Sequence, residues 1–295
     1  MVQTNKGFRV FVHLCLAAIS ILCIIPFLLL IVSSITNETS LIQDGYSFFT
    51  SHLDFTAYKY IFTNSSDVAR AYMISIIVTV AGTALSLLIT TMFAYPLSRR
   101  DLPGKNLFSF FIFFTLLFSG GLIPSYIMWT QVFHVKNTMY ALIFPNLLMN
   151  AFNVIMMRSY FTTNIPDAVT EAAKIDGAGE IRILWRIVLP MSLPIITTLV
   201  LFIGLGYWND WLNGLYFISD TSLYSLQVLL NKMLLDTLFM MSGLGNKLQV
   251  NMAMNFPTTA IKMAIAVIGL LPVLVVYPFF QRYFVKGIVV GAVKG

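Results

Sequence analysis

Long apolar stretches separated by short polar segments dominate this chain. A bilayer core about 30 Å thick needs about 20 apolar residues in a helix. Continuous runs of that length indicate helices, because only helices and closed barrels satisfy the backbone in lipid. Six stretches qualify, namely roughly Val10–Ile35, Ala71–Tyr95, Leu107–Trp129, Met139–Met157, Met191–Asn213 and Ala260–Phe280. The pattern predicts an all-α polytopic membrane protein with six transmembrane helices, forming a single transmembrane domain over residues 1–295.

Composition supports the same class. Hydrophobic residues make up 58% of the 295 residues and charged residues 10%, whereas a soluble domain is about 25% charged. This excludes a cytosolic enzyme, a nucleic-acid-binding module and a disordered chain. Cys15 and Cys23 both lie in the first apolar run, so neither a disulfide framework nor a metal cluster is indicated. That run is too long for a signal peptide and no small-residue cleavage site follows it, so we expect it to be retained.

The distribution of Lys and Arg predicts the orientation, because cytoplasmic segments are enriched in both. With the N-terminus inside, the inner segments hold twelve of the eighteen basic residues, and both termini are cytoplasmic. These are Lys6, Arg9, Arg99, Arg100, Lys105, Arg158, Lys174, Arg182, Arg186, Arg282, Lys286 and Lys294. The net charge of +6 is therefore explained by topology, and it does not require a nucleic-acid partner.

The cytoplasmic loop over residues 159–190 is the most charged part of the chain, and its sequence predicts two short helices. Pro166 and Asp167 suit the first turn of a helix, and Gly177 suits the left-handed residue that ends one. A second helix is expected to begin near Glu180. Its apolar positions recur at helical spacing, at Ile181, Leu184, Trp185 and Val188.

This loop also carries a motif at fixed spacing: Glu-Ala-Ala, three residues, Gly, nine residues, then Ile-x-Leu-Pro. Its fixed positions are filled by Glu171, Ala172, Ala173, Gly177, Ile187, Leu189 and Pro190. The loop resembles the coupling loop of permease subunits of binding-protein-dependent type I ABC importers. Three further segments resemble the carbohydrate class (maltose, multiple-sugar and complex-oligosaccharide permeases), namely Phe118–Tyr126, Trp208–Trp211 and Lys286–Gly295.

The resemblance implies an oligosaccharide importer in a bacterial cell (inner or plasma) membrane. It implies a second six-helix permease that completes a heterodimer, two ATPase subunits and an extracellular or periplasmic sugar-binding protein. The sequence contains no Gly-x-x-x-x-Gly-Lys-[Ser/Thr] phosphate loop. We therefore expect this chain to bind no cofactor and to be no enzyme, with ATP and Mg on the partner subunits. The C-terminal tail over Val289–Gly295 either reaches the ATPase interface or is a disordered anchor.

The resemblance also implies which residues couple the chain to the ATPase. Glu171 would pair with a basic group in a cleft of the ATPase, and Asp176 and Gly177 would set the angle between the two short helices. The full set is Glu171, Ala172, Ala173, Asp176, Gly177, Ala178, Ile187, Leu189 and Pro190. The alternative for this loop is an amphipathic interfacial hairpin without a partner.

Polar residues inside two predicted spans are candidates for the substrate path. Asn146, Asn150 and Asn153 fall at i, i+4 and i+7, hence on one face of a continuous helix. A polar and aromatic cluster ends the fifth predicted span, at Trp208, Asn209, Asp210, Trp211 and Asn213. Both sets suit a sugar, whose hydroxyls take hydrogen bonds and whose ring faces stack on aromatics. The alternatives are interhelical hydrogen bonds and an aromatic belt at the outer interface.

Two predicted spans carry small or helix-breaking residues. The second span has a stripe of small residues that favours close helix packing, formed by Ser75, Thr79, Gly82, Thr83, Ser86 and Thr90. In the third span, Gly120, Gly121 and Pro124 predict a break or kink, which serves gating or fits a neighbouring helix.

Three other functions remain possible at this stage. The first is import of a non-sugar solute. The second is ion-coupled secondary transport, which would usually need intramembrane acids or repeated broken helices. The third is a membrane enzyme, which would need convergent catalytic groups. The histidines, at positions 13, 52 and 134, are scattered along the sequence and form no such group.

Overall fold

The computed structural model describes residues 6–50, 52–63, 65–241 and 258–292, and over these residues the chain is α-helical, with one isolated β-bridge between Thr36 and Leu53. The all-α prediction is confirmed. The helices are α1 Lys6–Ser34, α2 Glu38–Gln43, α3 Thr56–Thr63, α4 Ser65–Ser98, α5 Lys105–Leu117, α6 Leu122–Ile127, α7 Tyr140–Ile143, α8 Ala151–Asn164, α9 Asp167–Ile175, α10 Glu180–Ile183, α11 Leu189–Met191, α12 Leu193–Trp208, α13 Leu212–Phe217, α14 Leu226–Met241 and α15 Thr258–Ala292. Two π-helical segments, Met128–Val132 and Leu184–Val188, extend α6 and α10.

Three helical stretches in the described residues are long and apolar enough to cross a membrane unaided, at Gly7–Ser34, Ser66–Ser98 and Thr259–Pro278. Two bent pairs also qualify when each counts as one span, which brings the number to as many as five. One pair is Lys105–Leu117 with Leu122–Val132, at 110°, and the other is Glu180–Met191 with Leu193–Trp208, at 85°. The predicted fourth span does not form a single helix and is described with the functional site.

The bends have local causes in the sequence. Gly121 adopts φ 82°, and its N–H is taken by the Ser119 side chain at 3.2 Å, so the predicted break in the third span is confirmed. At the other bend, Pro194 lacks the N–H that would continue the helix from Pro190. The chain therefore turns at Ser192, and α12 starts at Leu193.

The chain divides into two compact units, and the first comprises Met1–Val68 and Leu230–Pro272. Its polar segment between α1 and α4 is ordered by side chains that hold backbone groups. Asn37 caps α2 by accepting a hydrogen bond from Thr39 N at 3.0 Å. The Glu38 carboxylate accepts hydrogen bonds from Thr259 N at 2.8 Å and Ala260 N at 2.9 Å. The negative charge lies at the N-terminus of α15, where the helix dipole stabilises it.

The second unit comprises Ala69–Leu229 and Val273–Gly295. Its core is built around α4, α8 and α12 together with the cytoplasmic loop, and it includes Ile74, Val154, Met157, Ile183 and Leu199. Residues 293–295, and with them the end of the predicted C-terminal tail, lie outside the described residues. So do residues 242–257.

Within this unit the small residues of α4 serve close packing, as predicted. A Cβ atom on Gly82 would lie 2.5 Å from ring atoms of Tyr207, so α12 approaches α4 as closely as glycine allows. Ser75 Oγ accepts a hydrogen bond from Leu226 N at 2.8 Å. Ser86 Oγ donates one to Leu147 O at 3.4 Å. The small residues of α4 therefore form hydrogen bonds to the backbone at Leu226 and Leu147, and they also leave room for the Tyr207 ring.

Candidate functional site in the cytoplasmic loop and the broken span

The first helix of the cytoplasmic loop, α9, has well-defined ends. Pro166 precedes it with φ −64° and ψ 132°, so it caps the helix and does not form its first turn. Asp167 in the first turn and Lys174 in the last complement the helix dipole. At the other end Gly177 adopts φ 79°. Gly177 N donates to Lys174 O at 3.0 Å and Ala178 N to Ala173 O at 2.9 Å, which is a Schellman motif. The predicted helix end at Gly177 is confirmed.

The side chains of α9 divide between two faces. Thr170 and Ala173 are buried against the chain itself, while Glu171, Ala172 and Ile175 are exposed. Residues three and four apart lie on the same side of a helix, so Thr170, Ala173 and Lys174 form the inner face. Ala173, which the resemblance implies to be a coupling residue, therefore packs its methyl group inward against the chain itself. Ala172 and Asp176 are exposed.

The second helix of the loop begins at Glu180, as predicted, but buries a different face. Ile183, Leu184 and Val188 are at most 8% exposed, whereas Ile181 is 77% exposed and Trp185 56% exposed. The sequence carries two overlapping apolar stripes at helical spacing, and packing against the core selects one. The other, with Ile181 and Trp185, is left on the surface. Of the remaining motif residues, Ile187 and Leu189 are half-buried and Pro190 is exposed.

A polar network joins this loop to the C-terminal end of α4. Lys174 Nζ lies 2.9 Å from an Asp101 carboxylate oxygen and 2.7 Å from a Glu180 carboxylate oxygen. Tyr95 Oη donates to the other Glu180 oxygen at 2.5 Å. Arg99 donates to Thr170 Oγ1 at 2.7 Å. Lys174 therefore connects the segment after α4, the helix α9 and the start of α10.

The network shifts the pKa of its charged members towards their ionised forms. The hydrogen bond from Lys174 lowers the pKa of Asp101. Partial burial by itself raises the pKa of Glu180, but hydrogen bonds from Lys174 and Tyr95 outweigh it and leave that pKa below its ordinary value. Hydrogen bonds to Glu180 and Asp101 raise the pKa of Lys174. All three groups therefore stay charged near neutral pH.

Sequence reasoning missed Tyr95, Arg99, Asp101, Lys174 and Glu180 as members of the site. The signal available was the run Arg99-Arg100-Asp101 directly after the second predicted span. Both that run and the loop were placed at the cytoplasmic side by charge, but their pairing depends on tertiary packing.

The predicted fourth span is broken, and the expected shared face of its asparagines is therefore wrong. Helix α7 ends at Ile143 and α8 begins at Ala151. Pro145 has no N–H to continue a helix, and Asn146 takes a left-handed φ of 62°. Asn150 caps α8, accepting hydrogen bonds from Phe152 N at 2.9 Å and Asn153 N at 3.4 Å. Asn153 is buried in the first turn of α8.

Side chains from other elements donate hydrogen bonds to the backbone carbonyls that the break leaves without helical partners. Tyr207 Oη donates to Ile143 O at 2.9 Å, and Asn213 Nδ2 donates to Pro145 O at 2.9 Å. Ser86 Oγ reaches Leu147 O at 3.4 Å. An unsatisfied carbonyl within a membrane costs several kcal/mol, so these partners make the break a stable part of the fold.

The cluster after α12 separates into buried and accessible members. Trp208 is buried, with its ring centroid 6.3 Å from that of Tyr72, and Asn213 is 2% exposed. Asp210 Oδ1 accepts a hydrogen bond from Asn213 N at 3.3 Å. Asn146 Nδ2 donates to Asn213 Oδ1 at 3.4 Å, which brings the two predicted sets together. Trp211 is 39% exposed, and Asn209 is exposed.

Comparisons with known proteins identify the family to which the chain belongs. The family described as binding-protein-dependent transport system inner membrane component matches residues 82–290. The chain is 36% identical over 293 residues to the polygalacturonan/rhamnogalacturonan transport system permease protein YtcP of Bacillus subtilis (strain 168), covering 99% of each chain. It is 38% identical over 293 residues to protein LplC of the same organism, covering 99% of this chain and 97% of LplC.

A solved structure shows the same fold. It is the crystal structure of a bacterial ABC transporter involved in the import of the acidic polysaccharide alginate. The match has a TM-score of 0.79 at 28% sequence identity and covers 96% of this chain and 100% of that chain. The sequence profile, the full-length relatives and the fold agree, so the chain belongs to the family of binding-protein-dependent transport system inner membrane components.

Proposed function

We propose that this chain is the transmembrane subunit of an ATP-driven importer of oligosaccharides and forms half of its translocation path. As a member of the permease family it is not itself an enzyme. The sugar assignment is supported by the relative named for polygalacturonan and rhamnogalacturonan and by the structural neighbour that imports alginate. It is also supported by the accessible polar and aromatic side chains near the break in the fourth predicted span.

The coupling role rests above all on the two faces of α9. Its inner face is held by the chain itself, and its outer face offers Glu171, Ala172 and Ile175, of which Ile175 is 87% exposed. An exposed isoleucine beside a small residue and a carboxylate suits a shallow protein cleft with a basic rim. The partner is an ATPase subunit that binds ATP and Mg, and closure of the ATPase dimer would move this helix.

The remaining partners follow from the family. A second six-helix permease would complete the path, a second ATPase would serve that permease, and a binding protein would deliver the sugar from outside the cytoplasm. The chain would lie in a bacterial inner or plasma membrane with both termini in the cytoplasm. That orientation is supported by the distribution of Lys and Arg along the sequence.

The sugar would pass the surface formed by Asn146, Asn209 and Trp211. Asn146 is exposed on an irregular backbone segment, and such segments occur at membrane depth where they are buried in protein or line a cavity. Trp211 offers an accessible ring for a sugar face. Trp208 and Asn213 support this surface from within, since both are buried. Asn150 and Asn153 belong to the N-terminus of α8, so we assign them a structural role.

Reconstitution tests the function. The two permeases and the ATPases are placed in liposomes with the binding protein outside, and uptake of labelled rhamnogalacturonan fragments is followed with and without internal ATP. We expect uptake that requires ATP and the binding protein and that persists when an ionophore collapses the proton gradient. Uptake that ignores ATP and follows the gradient would support secondary transport instead. ATP-dependent uptake of another solute class, with no sugar uptake, would overturn the sugar assignment alone.

A further inference from the structure

The helix α9, which we call the coupling helix, is attached to the rest of its own chain mainly by polar contacts. Among the side chains of α9, all of which the structure describes, Thr170 and Ala173 are the buried ones. Both are small, so apolar packing contributes little to holding the helix. The polar contacts converge on Tyr95–Asp101, at the cytoplasmic end of α4. They include Arg99 with Thr170 at 2.7 Å and Arg100 with Asp167 at 3.2 Å, besides those of Lys174.

We propose that Lys174, Asp101, Glu180 and Tyr95 form a latch that positions the coupling helix against the C-terminal end of α4 and the segment that follows it, so that movement of the loop reaches the second membrane-spanning helix first. Lys174 is the central positioning residue, because its ammonium group binds carboxylates from two different segments at 2.9 and 2.7 Å. The inference rests on the proposed function, since it names the helix to which the proposed coupling loop passes its movement.

The latch differs from an ordinary surface ion pair. An isolated exposed pair contributes little, because two long side chains must be ordered for a small gain. Here one cation serves two acceptors, Glu180 is also held by the Tyr95 hydroxyl, and the nearby Arg99 side chain is only 16% exposed. Removing Lys174 would leave two carboxylates of like charge at the same place, which loosens the helix instead of merely deleting a contact.

From the latch, α4 continues to the broken span. Gly82 of α4 packs against the Tyr207 ring, and the Tyr207 hydroxyl donates a hydrogen bond to Ile143 O. Ser86 of α4 donates a hydrogen bond to Leu147 O. A displaced end of α4 would therefore act on both sides of the break at Phe144–Asn150. Spatial continuity by itself does not demonstrate coupling, so the test measures coupling directly.

The experiment compares ATP hydrolysed per sugar imported in the reconstituted complex. We expect Lys174→Met to raise this ratio at least about fivefold, the lower end of typical coupling effects, and Lys174→Arg to stay within about twofold of the wild type. The double variant Lys174→Met/Asp101→Asn should be no worse than Lys174→Met, because residues of one network do not act additively. Lys59→Met, on the exposed face of α3, is the matched control.

A second readout does not depend on transport. Hydrogen exchange of the α9 backbone amides in the purified complex should be faster in Lys174→Met than in Lys174→Arg. If Lys174→Met fails to assemble, Tyr95→Phe removes one hydroxyl contact and should give the same changes at smaller amplitude. A normal ratio and normal exchange in Lys174→Met, or an additive double variant, would overturn the latch. A wild-type complex without ATP-dependent uptake but with the exchange difference would overturn the proposed function and leave the latch standing.

Discussion

At the scale of single residues, Gly82 shows how closely this fold is packed. A Cβ atom there would lie 2.5 Å from ring carbons of Tyr207, and that ring is itself held by the bond from its hydroxyl to Ile143 O. The ring cannot move aside without losing this bond. Overpacking of this kind costs about 1–3 kcal/mol, so we expect Gly82→Ala to lower the thermal stability of the purified complex by several degrees.

Gly206 provides the comparison for Gly82. A Cβ atom on Gly206 would meet Leu147 Cδ2 at 3.8 Å, which is ordinary van der Waals contact. Alanine also favours a helix over glycine, so Gly206→Ala should leave the melting temperature unchanged or raise it slightly. Equal melting temperatures for Gly82→Ala and the wild type would contradict the close approach of α4 and α12.

The residues also show which conformations can be read from sequence. Gly177 was predicted to be left-handed because it follows a helical pattern at the spacing of a C-cap, and its φ is 79°. Asn146 adopts φ 62° without such a signal. Its conformation depends on Asn213, Tyr207 and Ser86, which hold the surrounding carbonyls from distant parts of the sequence. The local sequence predicts the conformation of Gly177, whereas tertiary contacts stabilise that of Asn146.

At the scale of elements, the junction between α9 and α10 sets the orientation of α9, the helix that we propose to couple transport to ATP hydrolysis. Gly177→Pro would force φ to about −65° and remove the N–H that donates to Lys174 O at 3.0 Å. We expect this variant, and a bulky replacement of exposed Ala172, to reduce the coupling of transport to ATP hydrolysis more than Glu171→Gln. Glu171→Gln removes one charge at the rim of the proposed ATPase cleft, and an exposed ion pair of that kind is worth about 0.2–1 kcal/mol. The measurement is sugar uptake against ATPase rate.

The neighbouring Gly179 provides a control, because replacing it removes a glycine without disturbing a left-handed backbone conformation. Its φ is −71°, and a Cβ atom there would meet nothing within 4 Å. Gly179→Ala should therefore couple normally, while Gly177→Ala, in open space but at positive φ, should be impaired through backbone strain. Normal uptake and ATPase rates in Gly177→Pro would show that the angle between the two helices is unimportant.

The latch also makes a prediction about pH. The pKa values of Asp101 and Glu180 are lowered and that of Lys174 is raised. The ionised carboxylates therefore stabilise the latch above their ordinary pKa of about 4, and this stabilisation is lost as pH falls through their lowered pKa values. The charged Lys174 stabilises the latch until pH rises past about 10. A spin label at Ile175, in a chain with Cys15 and Cys23 replaced by Ser, should keep constant mobility from pH 5 to about 9.

Below the lowered pKa values of the carboxylates, the same label should become more mobile. In Lys174→Met it should be mobile at every pH, which provides the control. The charged groups that face one another here are Asp101, Lys174, Glu180, Arg99 and the Arg100–Asp167 pair. The pKa values of Asp101, Glu180 and Lys174 are all shifted away from neutrality, so a mobility transition between pH 6 and 8 would contradict the assignment of these groups to the latch.

Elements differed in how well the sequence predicted them. The long helices and the two loop helices followed from apolar runs, Pro166 and Gly177. The fourth predicted span did not, because Met139–Met157 is apolar enough to pass as one helix while Pro145 and Asn146 interrupt it. Apolar length reports burial in lipid or protein, and it does not report continuity of the helix. The latch was missed because its two halves come from distant parts of the sequence, with Asp101 and Lys174 separated by 73 residues and Tyr95 and Glu180 by 85.

At the scale of the whole molecule, the orientation in the membrane decides whether the loop can meet an ATPase. Twelve of the eighteen basic residues fall on one side in the six-span assignment, and that side is predicted to be cytoplasmic. The loop with α9 is predicted to lie on this side, and the segment with Ser222 is predicted to lie on the other. Since both positions are predicted from charge and not from the fold, accessibility to a reagent confined to one side tests them directly.

We expect single cysteines to report this orientation. In a background with Cys15 and Cys23 replaced by Ser, Ala168→Cys and Ser222→Cys both place a small thiol at an exposed position. In intact spheroplasts of cells that lack the partner ATPase, which would otherwise cover this face of α9, a membrane-impermeant maleimide should label Ser222→Cys and spare Ala168→Cys, and after permeabilisation it should label both. Labelling of Ala168→Cys before permeabilisation would place the coupling helix outside the cytoplasm. No ATPase could then reach it, and the exposed face of Glu171, Ala172 and Ile175 would need a different partner.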